Sequence, residues 1–212
     1  MNVDYIDHMG SDNRIVDAAR VSFDKIAANY SDDDNARLLR FLAKHRHITP
    51  FQHPQITLRV QAPIPVRTQL FKHKVGLTEN EESRRYIKTT PPLFVPAFRS
   101  APEGSIKQGS AGPHPDNRAW QKVYESQCDT AIDLYEQMLE ANVAPEQARF
   151  ILPQGVEVQW YWTGSLGAFA RVCWQRLDSH AQAETQQIAQ EISDIIAPLF
   201  PVSWAALTEG AA

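Results

Sequence analysis

Hydrophobic positions along the chain fall into a few clear periods. Ser11 is placed to cap a helix whose apolar side carries Ile15, Ala18, Ala19 and Val21. Asp32, Asp33 and Asp34 sit where acids favour a helix start, and Leu38, Leu39, Phe41 and Leu42 give that helix its apolar side up to His45–His47. Between Gln55 and Gln61 the period changes to two: Ile56, Leu58 and Val60 alternate with Thr57, Arg59 and Gln61, the pattern of a half-buried strand. Pro63 ends it, and Pro65 suits the start of a short helix carrying Val66, Gln69, Leu70 and His73. A long helix is predicted from Asp116 to Asn142, with Trp120, Val123, Tyr124, Ala131, Leu134, Tyr135 and Met138 on its buried side. Pro145 opens a short helix that carries Arg149. Val156, Val158, Trp160 and Trp162 then alternate with polar neighbours as a second strand. Helices follow over Ser165–Leu177 and His180–Ile196, with Pro198 and Pro201 as the stop.

Helices outnumber strands, hairpin signals are weak and there is no internal repeat. The expectation is an α+β fold, an antiparallel or mixed sheet flanked by several helices, in a single domain spanning 1–212. The stretch from Pro91 to Pro115 reads as loop, with six of the fourteen prolines and three of the nine glycines. A loop that long in a compact domain is usually functional.

Composition narrows the function. An apolar fraction of 43% with five tryptophans fits a globular chain, and a net charge of −4 argues against indiscriminate nucleic-acid binding. Cys128 and Cys173, the only two cysteines, form no metal-ligand spacing and no disulfide framework, so a reducing, cytoplasmic setting is expected. Met1 to Asp12 carries no basic start followed by an apolar run, and no stretch of about 18 apolar residues is present, so neither a secretory signal nor a membrane span is expected.

Against that mild background one segment stands out. Gln69 to Tyr86 packs four cations, three carboxylates, a histidine, two amides and two hydroxyls besides a tyrosine into eighteen residues. A solvated helix face is the ordinary meaning of such a run. Here the charges do not follow three- and four-residue spacing, and Asn80, Ser83 and Tyr86 mix uncharged donors among them, which suits a polar, anionic ligand. His45, His47 and His53 surround Thr49-Pro50-Phe51, but their spacing is no zinc pattern, and a turn is preferred to a metal site. Arg171 and Arg176 project from related faces of one helix, and Asp178 and His180 follow; an exposed, dipole-matched helix end explains Arg176 alone. Cys173, among Val172 and Trp174, reads as a core residue with no base beside it. Neither a phosphate loop nor a dinucleotide glycine fingerprint is present.

The same segment resembles the signature of the flavin-dependent thymidylate synthases, the ThyX family. Arg-His-Arg, a spacer and Asn-Glu-x-Ser-x-Arg-Tyr become Lys72-His73-Lys74, a spacer and Asn80-Glu81-Glu82-Ser83-Arg84-Arg85-Tyr86. His47-Ile48-Thr49-Pro50-Phe51-Gln52-His53, Ala148-Arg149-Phe150-Ile151-Leu152-Pro153 and Arg176-Leu177-Asp178-Ser179-His180-Ala181-Gln182 resemble three further family elements, in the family's order. Three departures stand out. Lysines replace the two arginines, exchanging planar forks for point donors. The spacer from Lys74 to Ser83 is eight residues against the usual seven, which predicts a loop insertion. Ser165-Leu166-Gly167 stands where many members carry Asn-x-Arg, so Arg171 is the candidate replacement for that flavin contact.

The resemblance implies reductive methylation of dUMP to dTMP. Methylenetetrahydrofolate is the carbon donor, and FAD reduced by NADPH supplies the hydride. It implies that Gln69, Lys72, Glu81, Ser83, Arg84, Arg85, Arg149 and Arg176 surround dUMP, with Arg176 beside the reacting ring and Ser83 either beside that ring or donating to the phosphate. It implies that His47, Thr49, Lys72, His73, Lys74, Glu81, Ser165 and Arg171 meet the flavin. No metal is implied, nor any nucleic-acid or membrane partner, and the assembly is a homotetramer that shares its sites between subunits. Two rival readings remain: a nucleotide-binding homologue that has lost flavin activity, and a small RNA-binding module. The second lacks aromatic platforms within Lys72–Arg85.

Overall fold

The structure is a computed structural model and describes residues 1–104 and 109–209. A four-stranded sheet in the order β1-β2-β4-β3 is built from β1 (Asn2–Met9), β2 (Gln55–Pro63), β3 (Leu77–Glu81) and β4 (Glu157–Ser165), and every neighbouring pair is antiparallel. The α+β expectation holds, and the sheet is antiparallel rather than mixed. The predicted alternation is the core: Ile56, Leu58, Val60 and Ala62 of β2 lie opposite Gly164, Trp162, Trp160 and Val158 of β4, and all these apolar side chains are buried. Trp160 and Trp162 pack edge-to-face on Phe71 and Phe169 at centroid distances of 5.4 and 5.5 Å. The other face of the sheet is wetter: Thr57 and Thr163 share a 3.0 Å hydrogen bond, and Tyr161 is exposed.

The helices around the sheet mostly start where the sequence says. Ser11 caps α1 (Asp12–Arg20) by accepting from the Arg14 amide at 3.3 Å, and Ser31 caps α2 (Asp32–Lys44). Pro65 lies in the first turn of α3 (Ile64–Leu70). The long helix α4 runs over Asn117–Glu140, Pro145 opens α5 (Pro145–Ala148), and Arg149 begins a 3-10 turn. Ser165 caps α6 (Leu166–Arg176). The 91–115 segment is loop in its described part, tied down by isolated bridges at Leu93–Val156 and Arg99–Pro113; 105–108 of that prediction lie outside the described residues.

Several expectations need correction. On α4 one stripe, Cys128, Ile132 and Tyr135, is buried, whereas Trp120, Val123 and Leu134 are 53%, 61% and 43% exposed. The helix packs on one narrow side, and its apolar face is wider than that contact. Helix α7 begins at Ala183, not His180, because Asp178 accepts from the His180 amide (2.8 Å) and holds the preceding turn. α7 (Ala183–Ile196) ends ahead of Pro198 and Pro201 as expected, but Pro201 also opens a helix that was not expected. That proline sits in the first turn of α8 (Pro201–Thr208), whose Val202 and Ser203 amides donate to the Asp12 carboxylate at 2.9 and 3.0 Å. The spacer expected to be a loop insertion holds β3.

β3 carries only Leu77 into the core and depends on a close approach to β4. A Cβ on Gly164 would lie 2.4 Å from Leu77 Cδ2 and 2.7 Å from the Gly76 carbonyl oxygen. Gly164→Ala is therefore expected to push β3 off the sheet, lowering stability by about 1–3 kcal/mol, with early hydrogen exchange in Leu77–Glu81. Denaturant melts and exchange mass spectrometry measure both.

Candidate active site

The helices that follow β2 and β4 bring the two predicted polar clusters together. His73, just beyond α3, is buried, and its Nε2 accepts a 2.9 Å hydrogen bond from Nε of Arg176 at the end of α6. With Nε2 accepting, the imidazole is neutral and carries its proton on Nδ1. Burial, followed by the nearby Arg176 and Arg171 guanidiniums, pushes its pKa down to about 4. Arg171 donates to the Val75 carbonyl and pins the turn that carries Lys72–Gly76 against α6. The Arg176 Nη groups have no hydrogen bond among the described residues, and they border a cavity of about 590 Å³ that Gln69, Lys72, Arg99, Ser110, His180 and Gln182 also line. Lys72 forms no ion pair among the described residues, so two uncommitted cations share one cavity.

One wall of the cavity is a chain of hydrogen bonds. Arg99, from the proline-rich loop, grips Glu184 bidentately at 2.8 and 2.9 Å, and its Nε donates to Ser110 Oγ at 2.6 Å. Burial pushes the Glu184 carboxyl up, but the hydrogen bonds from Arg99 and Gln182 outweigh it and hold the group below the ordinary carboxylate value. Gln182 Nε2 donates to Glu184 (2.8 Å), Gln69 Nε2 donates to Gln182 Oε1, and the buried Thr185 hydroxyl donates to Gln69 Oε1 at 3.2 Å.

The other predicted residues are placed in different surroundings. Glu81, at the end of β3, pairs with Arg67 at 2.9 Å; burial raises its pKa against the pull of Arg67. Ser83 opens the following loop, its Oγ accepting from the amide and Nε of Arg85 at 3.3 and 3.4 Å. Arg84 is buried and donates to the Thr89 carbonyl, while Arg85 is exposed, 5.1 Å from the Tyr86 ring centroid. Lys74 pairs with Glu79. His47 and Thr49 are exposed in the turn after α2. Ser165 is buried as the cap of α6, and Gly167 sits against Ile48, where a Cβ would come within 3.1 Å of Ile48 Cδ1. A larger side chain there requires Ile48 to give way by a few tenths of an ångström. Arg149 is exposed beside Phe150, which is 85% exposed, and does not line the cavity. Among the described residues no group of three or more His, Cys, Asp or Glu could hold a metal ion.

A family model described as thymidylate synthase complementing protein matches residues 4–202. The chain belongs to this family. A flavin-dependent thymidylate synthase of Thermosipho africanus is 37% identical over 90% of this chain and 83% of that protein; one of Thermus thermophilus is 35% identical over 96% and 74%. Among solved structures, the UMP/dUMP methylase PolB of Streptomyces cacaoi, bound with 5-Br dUMP, superposes with a TM-score of 0.88 at 28% identity, covering 98% of this chain and 94% of that one.

Within this thymidylate synthase complementing protein fold, sequence reasoning missed Arg99, Glu184 and Thr185. Arg99 lay in a loop without a periodic signal. Glu184 reads as an ordinary first-turn acid of α7. Cys173 is fully buried, its thiol pushed up to about 12 by burial and by Asp194, and it donates to the Ala189 carbonyl at 3.4 Å, so it offers no thiolate.

His73 makes stability depend on pH. Its folded pKa of about 4 lies below the ordinary 6.5, so the unfolded chain takes up the proton first on acidification. This contribution is full above about pH 6.5 and is lost as pH falls towards 4. Denaturation midpoints measured from pH 7.5 down to 4 are expected to fall more steeply for the wild type than for His73→Gln, which lacks the titrating ring.

Proposed function

We propose that this chain is a flavin-dependent thymidylate synthase acting on dUMP in the cytoplasm as a single domain, with methylenetetrahydrofolate as carbon donor and NADPH as reductant. The observation that carries the reading is the Arg176–His73 contact beside Lys72 in one cavity, built from the motif segments of a family whose relatives bear that name.

Arg176 remains protonated and donates through its free Nη groups. His73 fixes its Nε and so aims the guanidinium edge into the cavity, where Lys72 adds a second positive charge. A uracil ring placed there loses its imide proton more easily, since negative charge spreading onto its oxygens meets two cations in a partly dry site. Each tenfold gain in the ionised fraction requires about 1.4 kcal/mol, within reach of such a pair. Ser83 and Arg85 are the proposed partners of the nucleotide phosphate. Glu81 and the buried Arg84 hold the loop that presents them.

The donor set fits a flavin dinucleotide. Lys72 and the neighbouring Lys74, His47 and Thr49 give exposed cationic and hydroxyl groups for its phosphates, and Arg171 sits beside the turn that carries them. When bound, FAD supplies the hydride and the folate supplies the carbon. Arg149 lies outside the cavity and beside exposed Phe150, and α4 exposes Trp120, Val123 and Leu134. These positions support a homotetramer in which Arg149 reaches the nucleotide of a neighbouring subunit.

A second substrate is favoured by a specific likeness: the structural neighbour named a UMP/dUMP methylase is also solved with 5-Br UMP, at a TM-score of 0.86. Complementation of thymidine auxotrophy in a host lacking its own synthase tests the main reading. A yellow protein forming dTMP from dUMP is expected; a colourless protein that takes up no FAD would favour the homologue that has lost flavin activity. UMP offered in the same assay decides the second substrate. Arg176→Ala is expected to fold and keep flavin yet lose at least about a hundredfold in kcat, whereas Cys173→Ala stays active.

A further inference from the structure

The hydrogen-bond chain Arg99–Glu184–Gln182–Gln69–Thr185 has a direction, and one residue sets it. An ionised carboxylate only accepts. Glu184 is buried and gripped on both oxygens by Arg99, so Gln182 must turn its NH2 towards Glu184. Its carbonyl oxygen then faces Gln69, which must present its own NH2. Gln69 Oε1 is left facing Thr185, whose hydroxyl donates. Neither amide can rotate by half a turn without setting donor against donor or acceptor against acceptor. Gln69 keeps a second N–H and a second lone pair unused, and it borders the cavity shared by Lys72 and Arg176.

We propose that Glu184, held by Arg99 of the proline-rich loop, is a positioning residue that fixes the amide of Gln69 in the sense that accepts uracil and rejects cytosine. The proposal rests on the nucleotide reading above and adds what sets its base selectivity. Uracil presents an N3–H donor flanked by carbonyl acceptors. Cytosine presents an N3 acceptor beside an N4 amino donor. With the ring fixed by its phosphate, an amide edge that gives N–H to a uracil carbonyl and takes N3–H on its oxygen meets like against like on cytosine. The reversed amide has the opposite preference. A neutral amide at position 184 can donate or accept, so Glu184→Gln frees the whole chain to reverse.

The test is calorimetric binding of dUMP and of dCMP to the flavin-loaded wild type and to Glu184→Gln. The wild type is expected to favour dUMP, and the variant to lose at least about tenfold of that ratio. A loss of packing would weaken both nucleotides alike and leave the ratio unchanged, and that result overturns the proposal. If thermal unfolding shows that Glu184→Gln does not fold, Gln182→Met decides in its place by the same ratio, since it cuts the link through which Glu184 orients Gln69. A wild type that binds dUMP but gives an unchanged ratio in the deciding variant refutes only the role of Glu184. A wild type that binds neither nucleotide refutes the nucleotide reading itself.

Discussion

The antiparallel pairing of β2 with β4 governs where everything else can be. Each strand has nine residues, and Gln55 opposes Ser165 while Pro63 opposes Glu157. The helix after β2 therefore starts at one end of the pair and the helix after β4 at the other. Nine strand residues span roughly 30 Å. Seven residues of α3 and eleven of α6 together cover roughly 27 Å at about 1.5 Å each. Two helices sent back along the strands from opposite ends thus run out of length where they meet, and there His73 and Arg176 touch. Phe71 and Phe169 anchor the two returns on Trp160 and Trp162, so the meeting point is tied to the core of the sheet.

That convergence has an electrostatic consequence. Both helices arrive by their C-terminal ends, where unpaired carbonyls carry partial negative charge and favour cations. Lys72 and Arg176 are supported in place without acidic partners, and Arg171 donates to the Val75 carbonyl in the turn beyond α3. A histidine between them takes the neutral form, because a third positive charge in a buried position has no carboxylate to answer it. Its ring accepts from Arg176 for that reason, and the outer nitrogens of the arginine are left without a hydrogen bond among the described residues.

Much of this was legible in the sequence because it was written in periods and caps. Ile56-Leu58-Val60 and Val158-Trp160-Trp162 marked the central pair, and Ser11, Asp32–Asp34, Pro65 and Ser165 marked helix starts close to where they lie. The missed elements lack a local signature. β1 shows no clean alternation, being exposed at Asp4, Tyr5, Ile6 and Asp7 in succession. β3 reads Leu-Thr-Glu-Asn-Glu and is a strand only because β4 lies beside it. α8 is capped by Asp12 from the other end of the chain. In the site, the cations of Lys72–Arg85 and Arg176 announced themselves by type. The Arg99–Glu184 grip spans 85 positions, and neither residue alone differs from an ordinary surface charge. Motif spacing also treated Arg84 and Arg85 as equivalent, whereas the turn after β3 sends one inward and the other out to solvent.

The division of labour between rigid and loose parts follows from how steeply each interaction depends on distance. Hydrogen bonds that discriminate one base edge from another weaken sharply with a fraction of an ångström or a few tens of degrees. The groups suited to that task, Gln69, Gln182 and Arg176, stand on or at the ends of helices packed against the sheet. Attraction between a cation and a phosphate falls only as the inverse of distance and tolerates displacement. The proposed phosphate partners, Ser83 and Arg85, stand on the loop after β3, where such tolerance is needed. Arg99 is the exception that unites the two classes. It comes from a loop, yet it closes on a carboxylate inside the rigid part, so the geometry of the precise half depends on whether that one loop is seated.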